Sequence, residues 1–376
     1  MTTPPEPNPP RRRFRFGGCL FVLSLLGNAV LAAVAVTVAV WPVIPDDSDA
    51  LTERHYLGSA KATDKVAVVK VTGVLVEGNT AFALRQLSTA AKDKHVKAVV
   101  VRIDSPGGTV SASEDVYRAI VDLRDDTGRV AKGSGPKPVV ASMGAIAASG
   151  GYYVAMPAKT VVAEPICITG SIGVFAALPN LSGLAERNGV EMKLVKAGDI
   201  KAGGSMFHKL SPDERQPWQD MVESAYDRFL TVIAAGRPGL TRERMVNDKI
   251  RRDVPKYDDK GNVVTAPDGK PVTLSLTRYR ADGGTFTPTQ AKELGLIDDI
   301  ADLPAAVKLA AAAAGLSDYQ AVTYDRPRTP SEILLGMQVS ARSPSGVERL
   351  ADAATPRLWF LTPGYESAAL ANPVSP

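Results

Sequence analysis

The sequence predicts an α/β fold with a largely parallel sheet, preceded by one N-terminal transmembrane helix. From residue 66 onward, apolar β-branched stretches alternate with helical patterns, as is typical of parallel sheets with crossover helices. A run of 28 residues without a charge, 17–44, precedes them. Apolar residues make up 45% of the 376 residues, which is enough for a sizeable core.

The run 17–44 predicts a membrane anchor because it exceeds the roughly 20 apolar residues that a helix needs to span a bilayer. Arginines precede it and three aspartates follow it. The positive-inside tendency therefore places residues 1–16 in the cytoplasm, as a disordered tail, and residues 45–64 outside, as a polar stalk. A cleaved signal peptide is the alternative, but its apolar region is usually shorter, about 7–15 residues.

The segment 65–315 is predicted as one domain, followed by a partly ordered tail at 316–376. Residues 211–235 form its longest helix, opened by Ser211-Pro212 and two acidic residues. The turn sequences "DDKGN" and "PDGK" predict a β-hairpin insertion at 250–282. Other predicted strands are 66–75, 96–104, 138–143, 159–165 and 191–196, and other predicted helices are 79–94, 111–124 and 303–314.

Charge and cysteine content exclude several classes of function. The net charge is +4, and most of it comes from the arginines within residues 1–16. The basic balance is therefore local, and no nucleic-acid partner is expected. Cys19 lies in the apolar run, so it and Cys167 form neither a disulfide framework nor a CxxC metal site. With three histidines in the chain, a histidine base has few candidates.

Two glycine-rich stretches indicate acyl-transfer chemistry. "RIDSPGGTV", 102–110, ends an apolar strand with backbone N–H groups that suit a tetrahedral oxyanion. Asp104 is expected to brace this turn. "MGAIAASGGYYVA", 143–155, places Ser149 on a helix that follows a strand, among residues small enough to admit a substrate backbone. Alone, each stretch also fits an ordinary turn or a closely packed helix.

A serine nucleophile needs a base, and a lysine serves when it is neutral. A neutral lysine requires a pKa well below about 10.4, which burial in an apolar pocket provides. Lys201 lies in "VKAGDIKAGGSMF", 195–207, among small and apolar residues. Lys196, Lys193 and Lys209 are competitors, and the residues alone do not rank them.

The order of four motifs resembles one known family. The SPGG turn, "MGxxAASGGYY", "TGSIGV" and "AGxxKxxG" occur in the order that is typical of signal peptide peptidase A, a family of membrane-anchored Ser-Lys proteases. The resemblance covers about 65–310, with a weaker match in "PRLWFLTPG", and the chain has one copy of the motif set. It implies a ClpP/crotonase-like arrangement of repeated β-β-α units.

The resemblance also implies the site. Ser149 matches the nucleophile, Lys201 the general base and Ser171 the lysine-orienting serine. The oxyanion donors are Gly150 and Gly108, with Gly107 as the substitute for Gly108. No cofactor or metal is expected. The implied protein is a homo-oligomer that hydrolyses cleaved signal peptides and other small membrane-associated peptides. It lies in the bacterial cell membrane, anchored in the bilayer through 17–44, with an extracytoplasmic catalytic domain.

Three departures from the family pattern leave the catalytic groups in place. Ala145 stands where the family often has serine, Ala197-Gly198 replaces the usual Ser-Gly, and the hairpin at 250–282 is extra. Three alternatives remain. They are a membrane quality-control protease, a crotonase-type enzyme acting on a coenzyme A thioester, and an inactive scaffold.

Overall fold

A computed structural model of the protein describes residues 24–32, 51–129, 132–326 and 357–362. Contacts divide the chain into two units, Met1–Ala50 and Leu51–Pro376. In the first unit, residues 24–32 form a helix, α1. Within the described ranges, no helix combines the length and the apolar character that crossing a bilayer requires. The predicted cytoplasmic tail and most of the predicted anchor lie outside these ranges.

The second unit is a mixed α/β domain. Its strands, among the described residues, are β1 (Thr52–Gly58), β2 (Lys65–Thr72), β3 (Val96–Ser105), β4 (Gly107–Thr109), β5 (Val139–Ala148), β6 (Thr160–Ala163), β7 (Ile168–Gly170), β8 (Phe175–Ala177), β9 (Ile250–Pro255), β10 (Thr273–Arg278), β11 (Thr285–Phe286), β12 (Asp299–Ile300), β13 (Gln320–Asp325) and β14 (Arg357–Leu361). Its helices are α2 (Ala81–Lys92), α3 (Val110–Asp125), α4 (Gly150–Ala155), α5 (Ser182–Arg187), α6 (Pro212–Gly236), α7 (Arg242–Asn247), α8 (Pro288–Glu293) and α9 (Leu303–Ala313).

A sheet dominated by parallel strands forms the centre of the domain, as the alternating pattern predicts. The strand order is β1-β13-β2-β3-β5-β6-β12, and β7 joins β5 beyond its pairing with β6. The pairs from β13 to β12 are parallel, while β1 lies antiparallel to β13. The sheet is buried on both faces. Successive side chains of β2 enter two different hydrophobic clusters, one with residues of α2, α3, α4 and α6 and the other with residues of α9.

The long helix α6 begins as its sequence predicts. Ser211 Oγ accepts a hydrogen bond from the Glu214 backbone, and the Glu214 carboxylate accepts one from the Ser211 backbone. This capping box satisfies two backbone donors of the first turn. In the region of the predicted hairpin, β9 and β10 form an antiparallel pair, so an antiparallel ribbon occupies this part of the chain.

Three segments differ from the sequence expectation. Residues 191–196 form no strand, and they are exposed. Their short alternating pattern has no neighbouring strand to pair with, so it does not lead to a strand. Strand β1 lies within the predicted stalk and pairs with β13, which lies in the predicted tail. Strand β14 also comes from that tail, and its pairing is described with the site below.

Candidate active site

Ser149 lies at a sharp turn between β5 and α4, where it is the residue before the helix rather than part of it. Its φ of 53° and ψ of −114° are unusual for a residue with a side chain. Its backbone N–H donates to Gly170 O at 2.8 Å, and its carbonyl accepts from Tyr153 N at 2.9 Å. The turn is therefore held from both sides.

The Ser149 hydroxyl is buried and unpaired. The residue is 1% exposed, and its Oγ has no hydrogen-bond partner in the described part of the chain. A buried hydroxyl without a partner is uncommon and costs free energy. At a backbone turn that also departs from ordinary geometry, it is typical of a reacting group.

The small residues after Ser149 allow backbones to touch. A Cβ on Gly150 would lie 2.4 Å from Ser113 Oγ, and a Cβ on Gly151 would lie 2.4 Å from Ser105 O. No side chain fits at either position. Helix α4 therefore packs with its first turn directly against the end of β3 and the start of α3.

The SPGG turn lies against that first turn of α4. Gly107 has a φ of +101°, and a Cβ there would lie 2.7 Å from Gly150 N. A Cβ on Gly108 would lie 1.8 Å from Leu75 O. The structure thus brings Gly107 beside Gly150, next to Ser149. The Gly107 N–H donates to Ser105 Oγ at 3.1 Å, so this donor already has a partner.

Strand β14 runs along the SPGG turn. It is antiparallel to β4 on one side and to β8 on the other, with Phe360 opposite Gly108. The Phe360 ring packs against Phe229, at a centroid distance of 4.7 Å. Its carbonyl oxygen lies at the glycines, 3.1 Å from where a Cβ on Gly150 would be. From the sequence, this strand was not assigned to the site, although the weaker family match in "PRLWFLTPG" covers it.

Helix α4 is fixed by its two buried tyrosines. Tyr152 OH donates to Leu296 O at 2.7 Å. Tyr153 OH donates to Glu114, which also accepts from Arg118 and Arg228. Burial acts to raise the pKa of Glu114, but these three hydrogen bonds outweigh it and hold the pKa below its ordinary value.

Ser171 lies close to Ser149 in the structure. It follows β7, is buried, and has a φ of 51°. Its N–H donates to Gly284 O at 2.8 Å, and the preceding residue, Gly170, accepts the Ser149 N–H. One peptide unit thus links the two serines. A cavity of about 380 Å³ opens beside Ser171, lined also by Gln219, Glu223, Tyr226 and Leu361 of β14.

Lys201 lies in a different environment. It is exposed, in a turn where its N–H donates to Gly198 O at 3.3 Å. Within the described ranges the structure does not bring its amine to Ser149, whose Oγ has no partner. Lys196 is engaged elsewhere, because its amine donates to Asp199 O and lies 3.7 Å from a Glu214 carboxylate oxygen.

Asp104 does not brace the SPGG turn through its side chain. Its carboxylate accepts from the Ala145 N–H at 2.6 Å and pairs with Arg102 at 3.1 Å. The expectation was wrong because the side chain faces β5, where the strand bulges, rather than the turn that follows in the chain. Cys167 is a buried core residue, and burial raises the pKa of its thiol to about 12.

Sequence comparisons agree with the motifs. The sequence profile of peptidase family S49 matches residues 131–247, which include Ser149, Ser171 and Lys201. A Synechocystis protein named "Putative protease slr0021" is 33% identical over 270 residues, which are 72% of this chain and 81% of that protein.

Two further relatives carry protease names. "Protease 4" of Salmonella typhi is 30% identical over 286 residues, 74% of this chain and 39% of that protein. "Serine protease SPPA, chloroplastic" of Arabidopsis thaliana is 33% identical over 197 residues, 49% of this chain and 28% of that protein. The chain thus spans well under half the length of these two relatives, but most of the Synechocystis protein. It belongs to the signal peptide peptidase A family, peptidase family S49.

Proposed function

We propose that the protein is a serine endopeptidase in which Ser149 attacks the peptide carbonyl and Lys201 is the general base. The observation that carries the proposal is the buried, unpaired Ser149 hydroxyl at a left-handed turn beside the SPGG glycines. We also propose that its domain has the ClpP/crotonase-like arrangement of repeated β-β-α units.

The proposed reaction is acyl transfer. Neutral Lys201 takes the Ser149 proton as Oγ attacks, and the N–H groups of Gly108 and Gly150 stabilise the oxyanion. The Gly107 N–H donates to Ser105 Oγ, and Gly108 is paired with Phe360 of β14, so Gly107 stays the substitute for Gly108. The protonated amine of Lys201 then passes its proton to the leaving amine. Water hydrolyses the acyl-enzyme ester, which frees Ser149.

The peptide is proposed to bind as an extended strand along β8, which ends its three-stranded sheet and pairs only with β14 among the described residues. Strand β4 offers no such edge, because β14 pairs with one side of it and Leu75 bridges to the other. Pairing of this kind lets main-chain hydrogen bonds provide affinity while pockets select side chains.

We propose that Lys201 completes the site of a neighbouring copy in a homo-oligomer. Lys201 is exposed, and the surrounding segment leaves several apolar side chains in solvent, including Leu184 at 60% and Val195 at 100% exposure. An apolar surface of this kind is typical of an interface. Covering it would also remove water from the lysine, as a lysine base requires.

The proposed substrates are cleaved signal peptides and other small membrane-associated peptides. The family supports this class, as does a relative whose name is "Putative signal peptide peptidase SppA". We further propose that residues 17–44 anchor the chain in the cell membrane with the catalytic domain on the extracytoplasmic side, because arginines precede this run and aspartates follow it.

The test uses the full-length protein in detergent with a mixture of signal-peptide-like peptides, read by mass spectrometry. Ser149→Ala and Lys201→Ala are each expected to lower cleavage by about 10³-fold or more while remaining folded. Lys193→Ala is the matched control, because this lysine lies in the same exposed segment. Parent-like cleavage by Lys201→Ala would make Lys196 the next candidate, and no cleavage by the parent would favour an inactive scaffold.

A further inference from the structure

We propose that Asp104 is a positioning residue that sets where Ser149 lies relative to the oxyanion donors. Its carboxylate holds a bulge in β5, the strand that ends at Ser149. The inference rests on the proposed function, since it assumes that Ser149 is the nucleophile.

The bulge lies where β5 passes Asp104. In the pairing of β3 with β5, Ile103 is opposite Met143, while Ser105 is opposite Ala147. One residue of β3, Asp104, therefore faces three residues of β5, 144–146. Bulges of this kind bend a strand and re-aim the side chains that follow.

Strand β5 changes its pairing partner at the bulge. Before the bulge, Val140–Met143 pair with β6. After it, Ile146–Ala148 pair with β7, whose last residue, Gly170, accepts the Ser149 N–H. Thr169 Oγ1 also donates to Ala147 O at 2.8 Å. The path of the chain to Ser149 thus depends on how β5 turns from β6 to β7.

Asp104 fits closely into this bulge. Its Oδ1 accepts the Ala145 N–H at 2.6 Å, inside the bulge. A Cβ on Gly144 would lie 2.0 Å from the same oxygen, so only glycine allows the carboxylate to come this near. This hydrogen bond gives the Ala145 N–H, which lies outside the strand pairing, a charged acceptor.

The second carboxylate oxygen is held by Arg102. The Arg102 Nε lies 3.1 Å from Asp104 Oδ2, and its Nη1 lies 2.6 Å from Glu164 Oε1 and 3.3 Å from Ser142 Oγ. The Glu164 N–H in turn donates to Met143 O at 3.0 Å, just before the bulge. Arg102 therefore fixes the Asp104 side chain against the rigid part of β5.

The reacting geometry is sensitive to small shifts of Ser149. A misplacement of about 1 Å at a reacting atom costs on the order of 10²-fold in rate. Without the Asp104 acceptor, the bulge is free to relax, and Ser149 moves relative to Gly108 and Gly150. Substrate pairing along β8 does not involve the bulge, so the loss falls on kcat rather than KM.

The experiment compares three variants of the full-length protein in steady-state peptide cleavage. Asp104→Ala is expected to lower kcat by about 10- to 100-fold, with KM within about twofold of the parent value. Asp104→Asn keeps an oxygen acceptor for the Ala145 N–H and is expected to recover most of the loss. Glu164→Gln is the matched control, since it changes another partner of Arg102 but no contact inside the bulge, and it stays near the parent.

A second substitution tests the same contact from the other strand. Gly144→Ala places a methyl group against Asp104 and is expected to lower kcat in the same way, while thermal unfolding reports whether each variant is folded. If Asp104→Ala fails to fold, the kcat values of Gly144→Ala and Asp104→Asn test the proposal instead.

Several outcomes overturn the proposal. These are a folded Asp104→Ala or Gly144→Ala with parent-like kcat, a loss confined to KM, or an Asp104→Asn variant as impaired as Asp104→Ala. The last result would mean that the charge pair with Arg102 matters, not the hydrogen bond to the bulge. If Ser149→Ala also cleaves like the parent, the proposed function is wrong, and this inference, which assumes it, is wrong as well.

Discussion

The turn that carries Ser149 and the segment that carries Lys201 differ in almost every physical respect. Ser149 is buried at a turn that is hydrogen-bonded to β7 and α4, and glycines pack backbone against backbone around it. The segment 190–200 is exposed throughout and forms no strand or helix, and Val195 is fully exposed to solvent.

This contrast is the basis of the proposal that one chain supplies only the serine half of each Ser-Lys site. A nucleophile and oxyanion donors need fixed backbone positions, which a close-packed turn provides. A lysine base needs a desolvated amine, which an exposed segment provides only after another surface covers it. Substitutions in the two regions are therefore expected to differ in their effects.

The largest effect is expected from Gly107→Ala. The new methyl group would lie 2.0 Å from Phe360 O at a φ of +101°, so the turn must move. We expect a loss of about 10²-fold or more in kcat and of about 2–4 kcal/mol in the free energy of unfolding. Gly315→Ala, after α9, is the control, because its φ is also positive, at +67°, but it has no neighbour within 4 Å.

The Gly315→Ala control should cost about 1 kcal/mol and leave kcat unchanged. Denaturant unfolding and steady-state cleavage measure both quantities. Equal losses for the two glycines would mean that backbone strain alone, and not close packing at the site, explains the result.

Removing the Phe360 ring should have the next largest effect. The ring packs with Tyr153 and Phe229 at centroid distances of 5.2 and 4.7 Å. Phe360→Ala is expected to lower the free energy of unfolding by about 3 kcal/mol, because the ring is fully buried and its removal leaves a cavity. Leu276→Ala, on β10, should change it by less than about 0.5 kcal/mol, because this side chain is 46% exposed. Similar losses for the two variants in thermal unfolding would contradict a core role for the Phe360 ring.

Charging the exposed segment should separate the copies. Val195→Asp is expected to lower the oligomer mass in sedimentation and to reduce cleavage about tenfold, because a buried carboxylate opposes association. Leu309→Asp, on α9, is the control at another exposed apolar position. If Val195→Asp keeps the parent mass and activity, the segment is not an interface.

The smallest effect concerns acid stability on the Ser149 side. The folded pKa of Glu114 is lowered, so its contribution is present above the ordinary glutamate pKa of 4.5 and is lost as pH falls through the folded pKa. Glu114→Gln should therefore cost about 1 kcal/mol near neutral pH and less in acid. Urea unfolding at both pH values tests this, and a loss independent of pH would contradict it.

The elements that sequence analysis predicted well are specified locally. Strands β2 and β3 are continuous valine-rich runs, and α6 carries its own capping box, so neighbouring residues decide them. The clustering of Ser149 with the SPGG turn was also predictable, because both follow the ends of parallel strands.

The parts that were missed depend on distant partners. Residues 146–148 were not assigned to a strand because their pairing with β7 requires the bulge opposite Asp104. Residues 191–196 have a strand-like pattern but no partner strand. Strand β14 pairs with residues about 250 positions earlier in the chain, and no local pattern indicates such a contact.

The most direct test of the central claim is complementation between two inactive variants. Ser149→Ala supplies only the lysine and Lys201→Ala supplies only the serine. Each is inactive alone, and after dissociation and reassembly together they should recover about a quarter of the parent kcat, as random mixing in a symmetric oligomer predicts. A reassembled mixture with the parent mass but no cleavage would contradict the claim that neighbouring copies share the site.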